Sequence, residues 1–410
     1  MRRVAITGIG VISALGKNAC EFWSALEQGR SGIAPIETVD RSKLRFQNGG
    51  EVHGYCPGDY FEEKHADFID RFAQFGVIAA REAIRDSGLD RDDIDSESTT
   101  IITGSCVGGQ CSEDLGFVEL YQKDRGRVHP LTIARTMANA GASHISMEFG
   151  ITGPAYTIST ACSSSNHAVG QAYWTVRNGG ADVAITGGSE AVFSMGFLKA
   201  WEAMRVISPD TCRPFSKDRT GMILGEGGAM LVLEPLDRAL ARGAKIHAEI
   251  VGFGMSADAG HITQPSVEGA ARAIRSALRD GGVPPEQVGY INAHGTATQL
   301  NDPMETAAIR AVFGEHADRL AISSTKSMHG HALGAAGALE AVATILALRQ
   351  GVLPPTAGFR QADPDCDLDV IPNQSRRADV EVAMSNSFAF GGLNAVLAFR
   401  RYDASRDRTS

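Results

Sequence analysis

The chain has 410 residues, 43% hydrophobic and 21% charged, which suits a soluble globular protein built as two domains or one large duplicated fold. Its 39 basic against 48 acidic residues leave a net charge of −9, the wrong balance for a chain whose main partner is nucleic acid. No apolar run reaches the roughly 18 residues of a membrane span, and the start MRRVAITGIG enters a strand without a signal peptide's apolar core, so a cytoplasmic location is expected.

Short β-branched runs alternate with Ala-rich periodic stretches along the chain. A strand is predicted at 3–7, then helices at 18–28 and 72–87, strands at 99–103 and 155–159, and a helix at 163–178. Strands at 182–187, 229–234 and 247–253 precede a helix at 266–280. Beyond it come a strand at 289–293, a helix at 301–313, a strand at 320–324 and a helix at 331–350. Strands separated by helices predict parallel sheets between helical layers, an α/β fold. The last pair, 381–386 and 394–400, is separated only by a glycine turn and reads as an antiparallel closing pair. With no linker in sight, the halves 1–250 and 251–410 are expected to be fused. A faint echo between TISTACSSSNHAVGQA and AISSTKSMHGHALGAAGALEA hints at duplication. Residues 401–410 read as a frayed polar tail.

Seven scattered cysteines without CxxC spacing argue against a disulfide scaffold or a zinc site. Cys162 stands out because it follows an apolar strand at the start of a helix. There, backbone N–H groups and the helix dipole favour a thiolate and can hold a developing oxyanion. The alternative is a small buried cysteine. His294, in Asn292-Ala293-His294-Gly295-Thr296-Ala297-Thr298, lies just beyond a strand's carboxyl end, where α/β sheets place ligands; a capping histidine is the other reading. His331 is taken to begin the helix at 331–350. His329 and His331 lack a third ligand, so no metal is expected. Thr7-Gly8-Ile9-Gly10-Val11-Ile12-Ser13 invites a dinucleotide-binding reading, but its sixth position is serine and no acidic residue follows a second strand. One cysteine and two histidines on three turns together describe thioester chemistry, the thiolate accepting an acyl group while neutral imidazoles polarise a second carbonyl.

STACSSSNHA, CRPFSKDRTGMILGEGG, INAHGTATQLND, SSTKSMHGHALGAAGALE and SNSFAFGG carry a resemblance that covers essentially the whole chain. The sequence resembles the β-ketoacyl-acyl carrier protein synthases of the elongating type II group. That resemblance implies a thiolase-like fold of two duplicated α/β halves in a layered αβαβα architecture. It also implies decarboxylative condensation of malonyl-carrier protein with an enzyme-bound acyl thioester, extending the chain by two carbons. Cys162 becomes the acyl-accepting nucleophile, His294 and His331 the malonyl-handling pair, and Lys326 and Glu340 the support that orients His331. The amides of Cys162 and Phe390 would form the oxyanion hole. Phe390, Gly391 and Gly392 would form the gate, with Asp258 and Thr263 on a second gating loop. Thr296 and Thr298 match the threonines that bind the phosphopantetheine arm, and Val107, Ala161 and Trp201 match the acyl-tunnel lining. Lys64, Arg71 and Arg205 remain as carrier-docking charges.

No cofactor is implied beyond the phosphopantetheine arm of acyl carrier protein, the expected partner. The assembly is expected to be a homodimer paired through the strand near 155–159, or a heterodimer with a chain-length factor. Ala389, Leu393 and Cys106 depart from the usual pattern. LKAWEAMRVISPDTCRPFS, MSADAGHIT and DPDCDLDVIPN look closer to nodulation protein E and polyene-type condensing enzymes, which implies a specialised product. A nucleotide-dependent oxidoreductase is the competing class, disfavoured by the poor glycine fingerprint.

Overall fold

In the computed structural model, which describes residues 1–90, 94 and 97–404, the first strand outruns its β-branched run: β1 spans Val4–Ser13 and is buried throughout. The glycines of the TGIG segment therefore sit inside a strand rather than in a turn. After α1 (Ala19–Glu27), the long helix α2 (Arg71–Ser87) packs across β1. A Cβ at Gly8 would lie 2.0 Å from the Ala83 carbonyl oxygen, and one at Gly10 would lie 1.9 Å from that of Ala79. These glycines permit close helix–strand approach, and the phosphate-binding turn of a dinucleotide site is missing.

The other strands of the main sheet are β2 (Thr99–Gly104), β3 (Ala155–Ile158), β4 (Val183–Glu190), β5 (Gly227–Pro235), β6 (Ala248–Ala257), β7 (Val288–Asn292), β8 (Ala321–Ser323), β9 (Val382–Ala389) and β10 (Leu393–Arg400). Their order across the sheet is β8-β7-β9-β10-β6-β1-β5-β4-β2-β3. Read inward from its outer edge, each half runs third, second, fourth, fifth, first, so the duplication is written in the topology. The halves join where Val4–Ile6 pairs antiparallel with Ala248–Ile250. The seam expected near residue 250 falls inside β6.

The sheet is mixed, where the alternation of strands and helices predicts parallel pairing everywhere but in the closing pair. β2 runs parallel to β3 and β4, and β7 to β8 and β9. β5 runs antiparallel to β1 and β4, and β10 to β6 and β9. An intervening helix does not fix which strand lies alongside: β1 pairs with β5 and β6, never with β2. The closing hairpin of β9 and β10 is antiparallel as its glycine turn predicts.

Helices cover both faces. α2 and α3 (Ala140–Phe149) pack together outside the first half. α4 (Ser164–Arg177) and α8 (Ala336–Gln350) touch each other and strands of both halves, which makes them the central layer. Outside the second half lie α6 (Val267–Gly281) and α7 (Asn301–Phe313). This is the α/β, thiolase-like layered architecture. α8 is buried on every side from Ala336 to Leu348. With the turn before it, the stretch Leu333–Gln350 is long and apolar enough to cross a bilayer, contrary to the expectation that no run reaches that length; 89% of it is buried as a core helix.

Several short helices escaped the sequence pattern, among them Gln110–Phe117 and Thr132–Thr136. Their apolar residues do not repeat on a core-facing stripe, and Leu115, Phe117 and Ile133 are exposed. Of the tail read as frayed, residues 405–410 lie outside the described residues.

Candidate active site

Cys162 sits in a tight turn between β3 and α4. Ala161 holds a left-handed φ of 52°, and Thr160 bridges to Cys162. The Ser163 hydroxyl donates to the carbonyl of Thr160 (2.8 Å) and to that of Leu393 (2.8 Å), fastening this turn to the start of β10. Cys162 is buried in an apolar cluster with Phe193, Leu198, Trp201, Met222 and Leu333, against which Ala161, Cys106, Phe390 and Leu393 also pack. Burial pushes its thiol up to about 12, opposed by the Lys326 charge and by the N–H groups of Phe390 and Cys162 itself, which point at the sulfur. The helix start was expected to lower this value; desolvation outweighs it, and the resting group is the neutral thiol.

His294 follows β7 in a turn held from below by carboxylates on α7. Glu305 accepts from the N–H of His294 (2.9 Å) and of Gly295 (2.8 Å), and Asp302 from that of Ala297 (3.1 Å). Gly295 has φ +35°, and a Cβ there would lie 2.6 Å from that of Ser324. Nothing in the sequence pattern singled out Asp302 and Glu305; the one available signal is their i, i+3 spacing at the start of the helix after the histidine turn.

His331 does not begin a helix. Its N–H donates to Ile223 (2.6 Å) and its carbonyl accepts from Gly225 (2.9 Å), a bridge that precedes a tight turn at Leu333–Ala335. The ring centroids of His294 and His331 lie 5.3 Å apart, edge to face. Burial, then the Lys326 charge, holds both imidazoles well below the usual histidine value, so both are neutral near pH 7.

Lys326 and Glu340 form a fully buried ion pair. The lysine's histidine partner is His294, whose Nδ1 lies 3.3 Å from Nζ, rather than His331 as expected. An ammonium can only donate, so Nδ1 of His294 accepts and Nε2 carries the proton. The turn at residue 326 delivers Nζ to the strand-end histidine, while His331 lies beyond Gly330 with no side-chain partner on Nδ1.

Cys162, His294 and His331 share one cavity of about 290 Å³, lined also by Thr296, Thr298, Trp201, Phe388 and Phe390. Thr296 and Thr298 hydroxyls lie 3.0 Å apart on its wall. Phe390 stacks on Trp201, with centroids 6.1 Å apart. Gly391 and Gly392, at φ +83° and +70°, turn the chain from β9 to β10. The Gly391 N–H donates to Ile262 (2.7 Å), and the Asp258 N–H to Gly392 (2.9 Å). The two loops expected to act as gates are thus bonded to each other, Thr263 lines the cavity, and a Cβ on Gly392 would meet that of Asp258 at 2.5 Å.

Three expected positions fall elsewhere. Val107 is neither on the cavity wall nor in the cysteine's apolar cluster; its N–H bonds Glu190 (3.3 Å). Arg71 is committed to a pair with buried Glu226 and stacks over Tyr55, because α2 turns its first residue inward, so it is unsuited to docking. Lys64 is exposed on the helix Glu63–Phe68, away from the cavity lining, whereas Arg205 stands at the cavity wall with φ 57°. Among the described residues, no three His, Cys, Asp or Glu side chains are grouped to hold a metal ion.

Residues 1–239 match the family described as β-ketoacyl synthase, N-terminal domain, and residues 247–360 its C-terminal domain. Nodulation protein E of Rhizobium sp. (strain N33) is 48% identical over 400 residues, spanning 98% of this chain and 99% of that one. 3-Oxoacyl-acyl-carrier-protein synthase 2 of Synechocystis sp. is 43% identical over 411 residues, 98% of each chain. A solved structure described as the ishigamide ketosynthase/chain length factor superposes with a TM-score of 0.93 at 41% identity, covering 98% of this chain and 100% of that one.

Proposed function

The chain belongs to the β-ketoacyl synthase family, and from that premise we propose that it elongates a carrier-bound acyl chain by two carbons at the cavity shared by Cys162, His294 and His331. The convergence of one thiol and two neutral imidazoles on a single cavity carries this reading. The halves 1–250 and 251–410 divide the labour, the first supplying the sulfur and the second both histidines.

In the first half-reaction the Cys162 sulfur attacks an acyl thioester. A new S–C bond forms, the S–C bond to the phosphopantetheine arm breaks, and the thiol proton leaves with the departing sulfur. The N–H groups of Cys162 and Phe390 face the site where the oxyanion develops. Malonyl-carrier protein then enters, its arm against Thr296 and Thr298. Loss of CO₂ leaves an enolate whose oxygen is held by His294 Nε2–H and His331. The enolate carbon bonds the acyl carbon, and Cys162 leaves as a thiolate that regains a proton from water. Neutral imidazoles suit this work, since they donate a hydrogen bond without neutralising the enolate.

The partners assigned here are acyl carrier protein, reached past Arg205 at the cavity wall, and a second subunit paired through the edge strand β3. That subunit is a copy of this chain or a chain-length factor; the similarity to the ishigamide ketosynthase/chain length factor supports the second arrangement. The product proposed is a specialised, unsaturated chain rather than a housekeeping fatty acid; the similarity to nodulation protein E supports the specialised pathway. The cytoplasm is the assigned compartment, where seven unpaired thiols stay reduced. Mass analysis of products made with the cognate carrier protein tests the product class, and saturated chains alone would refute it. A Cys162→Gln variant is expected to decarboxylate malonyl-carrier protein without condensing it; loss of decarboxylation together with condensation would contradict the division of labour.

A further inference from the structure

His294 has a lysine on its Nδ1, but nothing of the kind orients His331, whose Nδ1 is buried without a partner. Its placement therefore depends on its backbone, and the turn that follows is strained: Leu333 holds φ +43° while fully buried against Cys162. A carboxylate outside the machinery described above reaches this turn. Glu190, the last residue of β4, has no exposed surface. It accepts from the Gly334 N–H (3.0 Å), the Cys106 N–H (2.6 Å), the Val107 N–H (3.3 Å) and the Ser105 hydroxyl (3.0 Å). Among the described residues no lysine or arginine pairs with it. A buried carboxylate without a cation is costly, and only a full set of donors makes it tolerable.

The two segments it joins are in backbone contact. A Cβ on Gly334 would lie 2.3 Å from the Cys106 nitrogen and 2.4 Å from Glu190 Oε2. On its other side the 105–107 loop is bonded toward the nucleophile's turn, the Ser159 hydroxyl donating to the Cys106 carbonyl (3.2 Å). Resting on the condensation reading above, we propose that Glu190 is a positioning residue whose carboxylate clamps the Ser105–Val107 loop to the Leu333–Gly334 turn and so fixes His331 opposite Cys162. Burial pushes this carboxyl up to about 7, and the donors opposing that shift are the clamp itself.

Glu190→Gln is nearly isosteric but turns an NH₂ toward the amide donors, whereas Glu190→Asp keeps the charge with a shorter reach. Malonyl decarboxylation and condensation are measured separately from acyl transfer to Cys162, the latter by mass of the acylated protein. The clamp predicts a fall in decarboxylation kcat of at least about tenfold in Glu190→Gln and a smaller fall in Glu190→Asp. It also predicts KM for malonyl-carrier protein within about twofold, and acyl transfer within about threefold, of wild type. Should Glu190→Gln fail to fold, Ser105→Ala removes one donor and is expected to lower decarboxylation kcat about threefold. Unchanged kcat in the variant that folds, or equal losses in both half-reactions, would overturn the clamp. A wild-type chain that neither takes up an acyl group nor decarboxylates malonyl would instead bring down the condensation reading, and the clamp with it.

Discussion

A hydrogen-bond donor works on an enolate only if its proton is held in the right place, and at His294 that is decided by one neighbour. Lys326 donates to Nδ1, which commits Nε2–H to the cavity, and its charge, added to burial, disfavours the imidazolium. His331 is kept neutral by the same two causes. A depressed histidine pKa means the proton is gained only at more acidic pH, so both rings are expected to hold the ¹⁵N shifts of neutral imidazole from about pH 8 down to about pH 6. A titration midpoint near 6.5 for either ring in an NMR series would contradict this. Cys162 and His294 were legible in the sequence because each follows a strand-like run beside small residues, and His331 because it opens a stretch almost free of bulky side chains. Lys326 as the partner of His294 was not, since a separation of 32 residues carries no helical or strand period. Nor were the roles of Asp302 and Glu305, which act on backbone amides and show in the sequence only as an i, i+3 spacing.

Glycine shapes the elements in two ways that look alike in sequence. In β1, Gly8 and Gly10 lie within van der Waals reach of α2, so any side chain there drives strand and helix apart. Gly10→Val is expected to destabilise by about 3 kcal/mol or more, at the upper end of overpacking costs, read as a lowered urea midpoint; a change below about 1 kcal/mol would mean that the contact is slack. At Gly391–Gly392 the requirement is positive φ, and the turn carries Phe390 onto Trp201 while bonding to the Ile262 and Asp258 segment. Ending the predicted strand at residue 7, before Gly8, left β1 six residues short. The same composition serves both purposes, and only the neighbouring helix distinguishes them. α8 escaped as a candidate span for a related reason: it is buried all round because it lies between two sheet halves, and length and mean hydropathy do not tell that from a membrane core.

At the scale of the molecule the chain is one sheet made of two copies of a five-strand order, joined edge to edge at β1 and β6 around a shared pair of helices. The sequence echo between the segments at Cys162 and at His331 marks the same relation, too weak to give the strand order. Strand order depends on which edges meet, and local pattern says nothing of that. Of the sheet's two edges, β8 is bridged by Asp369, whereas β3 pairs only with β2 among the described residues, and Tyr156 on it is 42% exposed. An open edge of this kind invites a second strand. If β3 pairs across a two-fold axis, Tyr156→Lys places like charges near one another and is expected to shift the mass seen by light scattering from dimer toward monomer, with the melting temperature of the chain little changed. A variant that stays dimeric at the same concentration would move the interface elsewhere.

On the proposed reading, acyl transfer and condensation meet at one sulfur, that of Cys162. Loading the wild-type chain from an acyl-carrier protein and digesting it tests this directly. The peptide bearing Cys162 is expected to gain the mass of the acyl group and lose it on addition of malonyl-carrier protein, as a product two carbons longer appears. Cys162→Ala is expected to gain nothing while remaining folded. An acyl group found on another cysteine, or one that malonyl-carrier protein fails to discharge, would contradict the account.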